Sequence, residues 1–134
     1  MAMDGTDGRG FAQSFAEEWI DAWNAHDVDR VLGHYADDVE LYSPFIVSIA
    51  HEPRGRLVGK AAVRAYWSTA LSLITDLRFE LLDVLVGVHS LTIYYKGHRG
   101  TVAEVLFFDD AQRITLATAC YSASDALRPR PNAE

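Results

Sequence analysis

The chain has 134 residues and a mass of 14.9 kDa, a length that favours one domain because two separate cores would each be marginal. Hydrophobic residues make up 49% and charged residues 23%, which excludes the disordered class, and 12 basic against 19 acidic side chains give a formal charge of −7, which argues against nucleic-acid binding. Cys120 is the single cysteine, which excludes an intramolecular disulfide framework and a Cys-based zinc cage, and no apolar run approaches the roughly 20 residues that span a bilayer.

Residues 1–10 are rich in Gly and Asp, and 127–134 hold two prolines among charged and polar residues. Both stretches read as flexible tails around a single unit at 11–123. The N-terminal stretch lacks the apolar core of a signal peptide, so the expectation is a soluble cytoplasmic protein with no membrane partner. Phe11, Phe15, Trp19 and Trp23 recur every fourth residue beside Ala12, Ala16 and Ile20, which predicts a helix with an aromatic face. Asp27 is placed to cap a second, shorter helix whose inner side is Val28, Val31, Leu32 and Tyr35. The Asp37-Asp38 pair reads as a turn, and Val39 to Ser43 alternates as a short strand stopped by Pro44. Phe45 to Gly59 reads as a long loop. A third helix follows Gly59, with Val63, Tyr66, Trp67, Ala70, Leu71 and Ile74 along one side.

The period then changes. Leu77 to Val86, Leu91 to Lys96, Thr101 to Phe108 and Ile114 to Tyr121 are rich in β-branched and aromatic residues. Short joins with turn chemistry at 87–90, 97–100 and 109–112 predict an antiparallel meander. Helices first and strands afterwards give an α+β fold, with helices packed on one face of a sheet. Thr101 to Phe108 is apolar on both faces, whereas a sheet with one wet face alternates more cleanly. The second face is therefore expected to meet another copy of the chain, as a homodimer through the sheet.

The strings WIDAWNAHD (19–27), HYADDVELYSP (34–44), GKAAVRAYW (59–67) and EVLFFDDAQRI (104–114) resemble the NTF2-like superfamily, and within it the SnoaL-like and ketosteroid-isomerase-like proteins. The resemblance implies a cystatin-like cone: three N-terminal helices on a curved, mostly antiparallel sheet, with a deep apolar pocket between them. Following the isomerase-like match, Ser43, Tyr66, Leu91, Ile93, Tyr95, Glu104, Leu106, Ala117, Ala119 and Tyr121 point inward. Trp19 and Tyr35 enter from the helices. Such a pocket suits a small apolar or amphipathic molecule.

Ketosteroid isomerases move a proton with an Asp and stabilise the enolate with a Tyr and a protonated Asp. The matching positions here hold Ser43, Trp19 and Leu106, so that mechanism is disfavoured. Glu104 is the compensating feature. It is the only charge between Thr101 and Phe108, and burial would raise its pKa toward the range an acid or base needs. Tyr66, Tyr95 and Tyr121 are the candidate orienting donors. His51 in the long loop and His89 at a strand start could supply an imidazole, or be no more than loop and turn residues. Arg54 and Arg56 of the same loop could meet an anionic ligand beneath a lid, or that loop could pack on a partner subunit. No histidine cluster has metal-ligand spacing, and neither metal nor cofactor is expected. Two readings remain open: cofactor-independent proton transfer of the isomerase, cyclase or dehydratase type, and a non-catalytic ligand-binding or dimerisation module.

Overall fold

The structure, a computed structural model, describes residues 8–126. Helix α1 (Gly8–Asn24) leads into α2 (Val28–Leu32) and strand β1 (Tyr35–Tyr42). A short α3 (Pro44–Ile49), strand β2 (Arg56–Val58) and α4 (Lys60–Leu73) follow. Four strands come next, β3 (Glu80–Gly87), β4 (Ser90–Lys96), β5 (Thr101–Phe108) and β6 (Ile114–Tyr121), and then a final turn, α5 (Ala123–Ala126). The six strands form one sheet in the order β2-β1-β6-β5-β4-β3, antiparallel except where β1 runs parallel to β6. The result is the expected α+β architecture, a curved open sheet with helices on its inner face.

Local chemistry explains most of these elements. Ala12, Phe15, Ala16, Trp19, Ile20 and Trp23 of α1 are all buried, forming the apolar stripe that the four-residue spacing predicts. Asp27 caps α2 by accepting from the Arg30 N–H. The meander has the expected members, and β5 and β6 have the expected bounds. Along β5, Val102, Glu104, Leu106 and Phe108 face the interior, while Phe107 on the other face is 39% exposed.

Several boundaries differ from the sequence reading, and Tyr35, expected on the second helix, is instead the first residue of β1. Helix α1 begins at Gly8, inside the stretch expected to be a tail, whereas 1–7 and 127–134 lie outside the described residues. The Asp37-Asp38 pair is not a turn between elements. It sits exposed within β1, where the pairing with β6 shifts register between Tyr35 and Glu40 and the extra residues bulge out. The stretch read as a loop contains α3 and β2. Ser43 accepts from the Phe45 N–H at 3.2 Å, and Pro44 supplies the preset first helical residue. A helix of six residues is too short to show a period, so only these capping signals could have revealed it. Finally, β3 starts at Glu80 rather than Leu77, because the preceding segment is held at one end by the last residue of α1 and at the other by the turn after it. The Asn24 amide donates to the Phe79 carbonyl at 3.0 Å and accepts the Phe79 N–H at 2.7 Å. His26 Nε2 donates to the Leu77 carbonyl at 2.9 Å.

Two glycines fix the entrance side of the fold. Gly55 has φ +65°, and a Cβ there would lie 2.9 Å from the Ser43 carbonyl oxygen. The bare Cα lets the chain fold back so that the Ser43 N–H donates to the Gly55 carbonyl at 3.0 Å. Gly59, at φ +92°, turns the chain from β2 into α4.

Candidate functional site

A cavity of about 110 Å³ opens between the inner sheet face and the helices. It is somewhat below the roughly 150 Å³ of an apolar cavity that accepts benzene. Its walls are aromatic. Trp19 and Trp23 come from α1, Tyr66 and Trp67 from α4, Phe79 from the segment before β3, Tyr95 from β4 and Tyr121 from β6. The rings brace one another: Phe79 and Tyr95 lie 4.5 Å apart, Trp23 and Trp67 4.9 Å, and Trp19 and Tyr95 5.4 Å, in tilted or edge-on arrangements. Such pairs add to the area they bury and leave a rigid wall.

Glu104 lies at the base of this cavity, 5% exposed. The alternation of β5 turns its side chain inward, and its direct cross-strand neighbours are Ile93 and Ala119, which offer no charge. Tyr95, the diagonal neighbour on β4, donates its hydroxyl to Glu104 Oε1 at 3.2 Å. No cation pairs with the carboxyl among the described residues. Burial therefore dominates and pushes its pKa up from 4.5 to about 7, against the smaller lowering by the Tyr95 hydrogen bond. The Tyr95 hydroxyl is in turn raised well above the ordinary phenol value, by burial first and by the neighbouring Glu104 charge second.

The structure brings together seven of the expected pocket residues: Trp19, Ser43, Tyr66, Tyr95, Glu104, Ala119 and Tyr121. Ser43 is nonetheless committed as the cap of α3, so its hydroxyl is already held by backbone. Six others lie outside the cavity. Tyr35 is completely buried behind it, accepting the Trp19 indole N–H at 3.0 Å. Leu91, Ile93, Leu106 and Ala117 point inward as expected but are packed as core, with exposures of 1%, 0%, 0% and 0%. Alternation shows which face a residue occupies but not whether helix side chains fill the space above it. His51 is exposed, at φ +59° after α3, and does not line the cavity. Arg54 and Arg56 do not line it either. Arg56 bonds Glu40 at 3.3 Å and the Tyr42 hydroxyl at 3.0 Å.

Several lining residues were not foreseen. Trp23 and Trp67 stand on the apolar faces of α1 and α4, where helical spacing alone does not separate a cavity wall from core. Phe79 is placed by the Asn24 latch, which no local pattern announces. His98 and Arg99, read only as turn residues, stand at the rim on the two-residue tip of the β4–β5 hairpin. Phe45 and Ile49 of α3 also line the cavity, with the Phe45 ring 4.4 Å from that of Tyr121. Among the described residues no three His, Cys, Asp or Glu side chains converge as metal ligands, and no helix is long and apolar enough to cross a membrane.

A curved sheet closed by helices over an aromatic cavity places the protein in the NTF2-like, cystatin-like fold class. Within that class it belongs to the SnoaL-like domain family, whose model matches residues 16–118. The chain is 52% identical to a SnoaL-like protein of unknown function from Burkholderia thailandensis, covering 85% of this chain and 96% of that one, with a TM-score of 0.82. A protein with a ketosteroid isomerase-like fold from Catenulispora acidiphila, solved with trimethylamine, has a TM-score of 0.63 at 18% identity, covering 83% and 87%. TerC, co-crystallised with polyporic acid, has a TM-score of 0.65 at 12% identity, covering 81% and 89%. These two likenesses concern the fold alone. No curated protein matches the chain.

Proposed function

We propose that the cavity binds a small, largely apolar molecule and that Glu104 is the acid or base of a cofactor-independent proton transfer, of isomerase, cyclase or dehydratase type. One observation carries the reading. Among the described residues, Glu104 is the sole carboxyl group lining the cavity and is buried without a cation, and its pKa of about 7 leaves both protonation states populated at neutral pH. A group poised at the working pH is the most effective general acid or base. In the reaction, the Glu104 carboxylate takes a proton from carbon next to a carbonyl. The C–H electron pair becomes a C=C bond, and the carbonyl oxygen becomes an enolate oxygen. The phenols of Tyr66 and Tyr121 also line the cavity, and a phenol that donates to that oxygen stabilises the enolate. Protonated Glu104 then returns its proton to carbon, and Tyr95 keeps the carboxyl oriented throughout. The neighbours solved with trimethylamine and with polyporic acid support a fold that accommodates small organic molecules.

The test uses phenylacetone in deuterated buffer, with loss of its α-protons followed by NMR. The wild-type protein is expected to accelerate exchange, and Glu104→Gln to lower the acceleration by a factor of about 10² to 10⁴. Exchange unaffected by Glu104→Gln, or absent in the wild type, contradicts the proton-transfer role.

We also infer self-association through the outer sheet face. Leu85 at 54%, Tyr94 at 39% and Phe107 at 39% exposed form an apolar surface there, and Cys120 is exposed on the same face. Large exposed apolar side chains gathered on one sheet face mark a surface suited to a partner. Sedimentation of the wild type and of a Tyr94→Lys, Phe107→Lys double variant is the check: a dimer that becomes a monomer supports the reading, and a wild-type monomer rules it out.

A further inference from the structure

We infer that Arg99 is the specificity residue of the cavity, and that the ligand is an amphipathic monoanion whose apolar ring enters the aromatic chamber while its carboxylate stays at the rim. This rests on the reading that the cavity binds a small molecule, and it adds which kind.

The first support is the charge inventory of the lining. Among the described residues, and apart from tyrosines, only Glu104, His98 and Arg99 can ionise there, and Arg99 alone of these carries a permanent positive charge. The second is the state of that charge. The chain holds 12 basic against 19 acidic side chains; Arg30 meets Glu18 and Asp21, Arg56 meets Glu40 and Arg64 meets Asp29, while Arg54, Arg78 and Arg113, which meet no described carboxylate, are exposed. Arg99 is partly buried yet forms no ion pair or hydrogen bond with any described residue. An arginine at a cavity and without an acceptor of its own has its fork of donors free for a ligand.

The third support is how the hairpin places it. The Gly97 N–H donates to the Gly100 carbonyl at 2.7 Å, closing a two-residue tip of His98 and Arg99. A Cβ on Gly97 would lie 3.1 Å from Val102 Cγ2 and 3.5 Å from Tyr95 Cε2. Glycine thus lets the turn sit directly against two wall residues, so that Arg99 becomes part of the rim. Phe45 and Ile49 of α3 add apolar side chains to the lining. The cavity therefore has one cationic edge, aromatic walls and a floor bearing a carboxyl that is readily protonated. A neutral ligand would leave the rim charge unused, and a cationic one would be repelled by it.

The experiment compares 4-phenylbutyrate with 4-phenylbutanamide by titration calorimetry, since the two differ only in charge and in the acceptor group. Wild type is expected to bind the carboxylate about tenfold more tightly than the amide, which corresponds to about 1.4 kcal/mol. Arg99→Gln should reduce that ratio to within about twofold, Arg99→Lys should retain part of it, and His98→Gln should leave it unchanged, since only the guanidinium offers a bidentate fork. Equal affinity for the two probes in wild type, or a preference that survives Arg99→Gln, overturns the assignment while the cavity stands as a binding site. Binding of neither probe to wild type overturns the cavity reading and the assignment together.

Discussion

The phenol of Tyr95 reaches the carboxyl of Glu104 diagonally across two antiparallel strands, at 3.2 Å, because the position directly opposite Glu104 is held by Ile93. Facing residues on neighbouring strands sit too close for a long acid and a long phenol to meet end to end, whereas the diagonal suits them. The pair is thus a product of strand register, and it holds an acidic group in a site with no compensating cation among the described residues.

The pH dependence of stability follows from that burial. The unfolded chain releases the Glu104 proton near 4.5, while the folded protein keeps it until about pH 7. The stability contributed is full below the unfolded value and is lost as pH rises through the folded one. The loss amounts to roughly 3 kcal/mol. Urea unfolding at about pH 5 and about pH 8 should show the wild type weakening, with Glu104→Gln lacking that component of the change. Identical pH dependence in the two proteins contradicts a buried Glu104.

Tyr95→Phe removes the one hydrogen bond that favours the Glu104 carboxylate. The titration midpoint of Glu104, followed by carboxyl carbon NMR, should move further upward. Stability should fall by about 1 kcal/mol. An unchanged or lower midpoint argues that the contact does not form in solution.

Tyr35 and Trp19 form a second buried pair, and here the expected effect is on stability. Tyr35→Phe strands the Trp19 indole N–H, which donates to the Tyr35 hydroxyl at 3.0 Å. A cost of about 1–3 kcal/mol is expected in denaturant unfolding. A double-mutant cycle with Trp19→Phe should show the two effects to be strongly non-additive.

Gly55→Ala places a methyl 2.9 Å from the Ser43 carbonyl in a backbone of positive φ. Destabilisation of about 1–3 kcal/mol is expected by urea titration. A neutral effect would mean that the chain between α3 and β2 takes another path.

Ala119→Leu enlarges a wall residue next to the Glu104 strand. It should abolish α-proton exchange of phenylacetone while costing about 1–3 kcal/mol of stability from overpacking. Retained exchange in this variant places the chemistry somewhere other than the cavity.

Much of this architecture was legible residue by residue. The Phe11-to-Trp23 stripe specifies α1, and the change to β-branched and aromatic runs after Leu77 specifies the meander; both depend on interactions within a few residues of sequence. Glu104 was legible for a similar reason, as a lone charge on a face otherwise apolar. Helix α3 and strand β2 were not, since six and three residues are too few to display a period. Nor was the rim. Gly97-His98-Arg99-Gly100 reads as a turn whatever stands beside it, and only the curvature of the sheet brings that turn against the cavity.

Sequence alone settled the class of fold, the inward direction of Glu104 and Tyr95 and the aromatic character of the interior, because side-chain direction along a helix or strand follows the backbone period. Tertiary structure decided which inward residues border open space and which are sealed as core. Leu91, Ile93, Leu106 and Ala117 share the inner sheet face with lining residues, yet they are buried by what packs above them. It also decided that Glu104 meets a phenol rather than a cation, and that Arg99 stands at the mouth without a carboxylate among the described residues. Such outcomes depend on how much volume distant helices occupy and which charges they bring within reach, quantities that no local stretch of sequence contains.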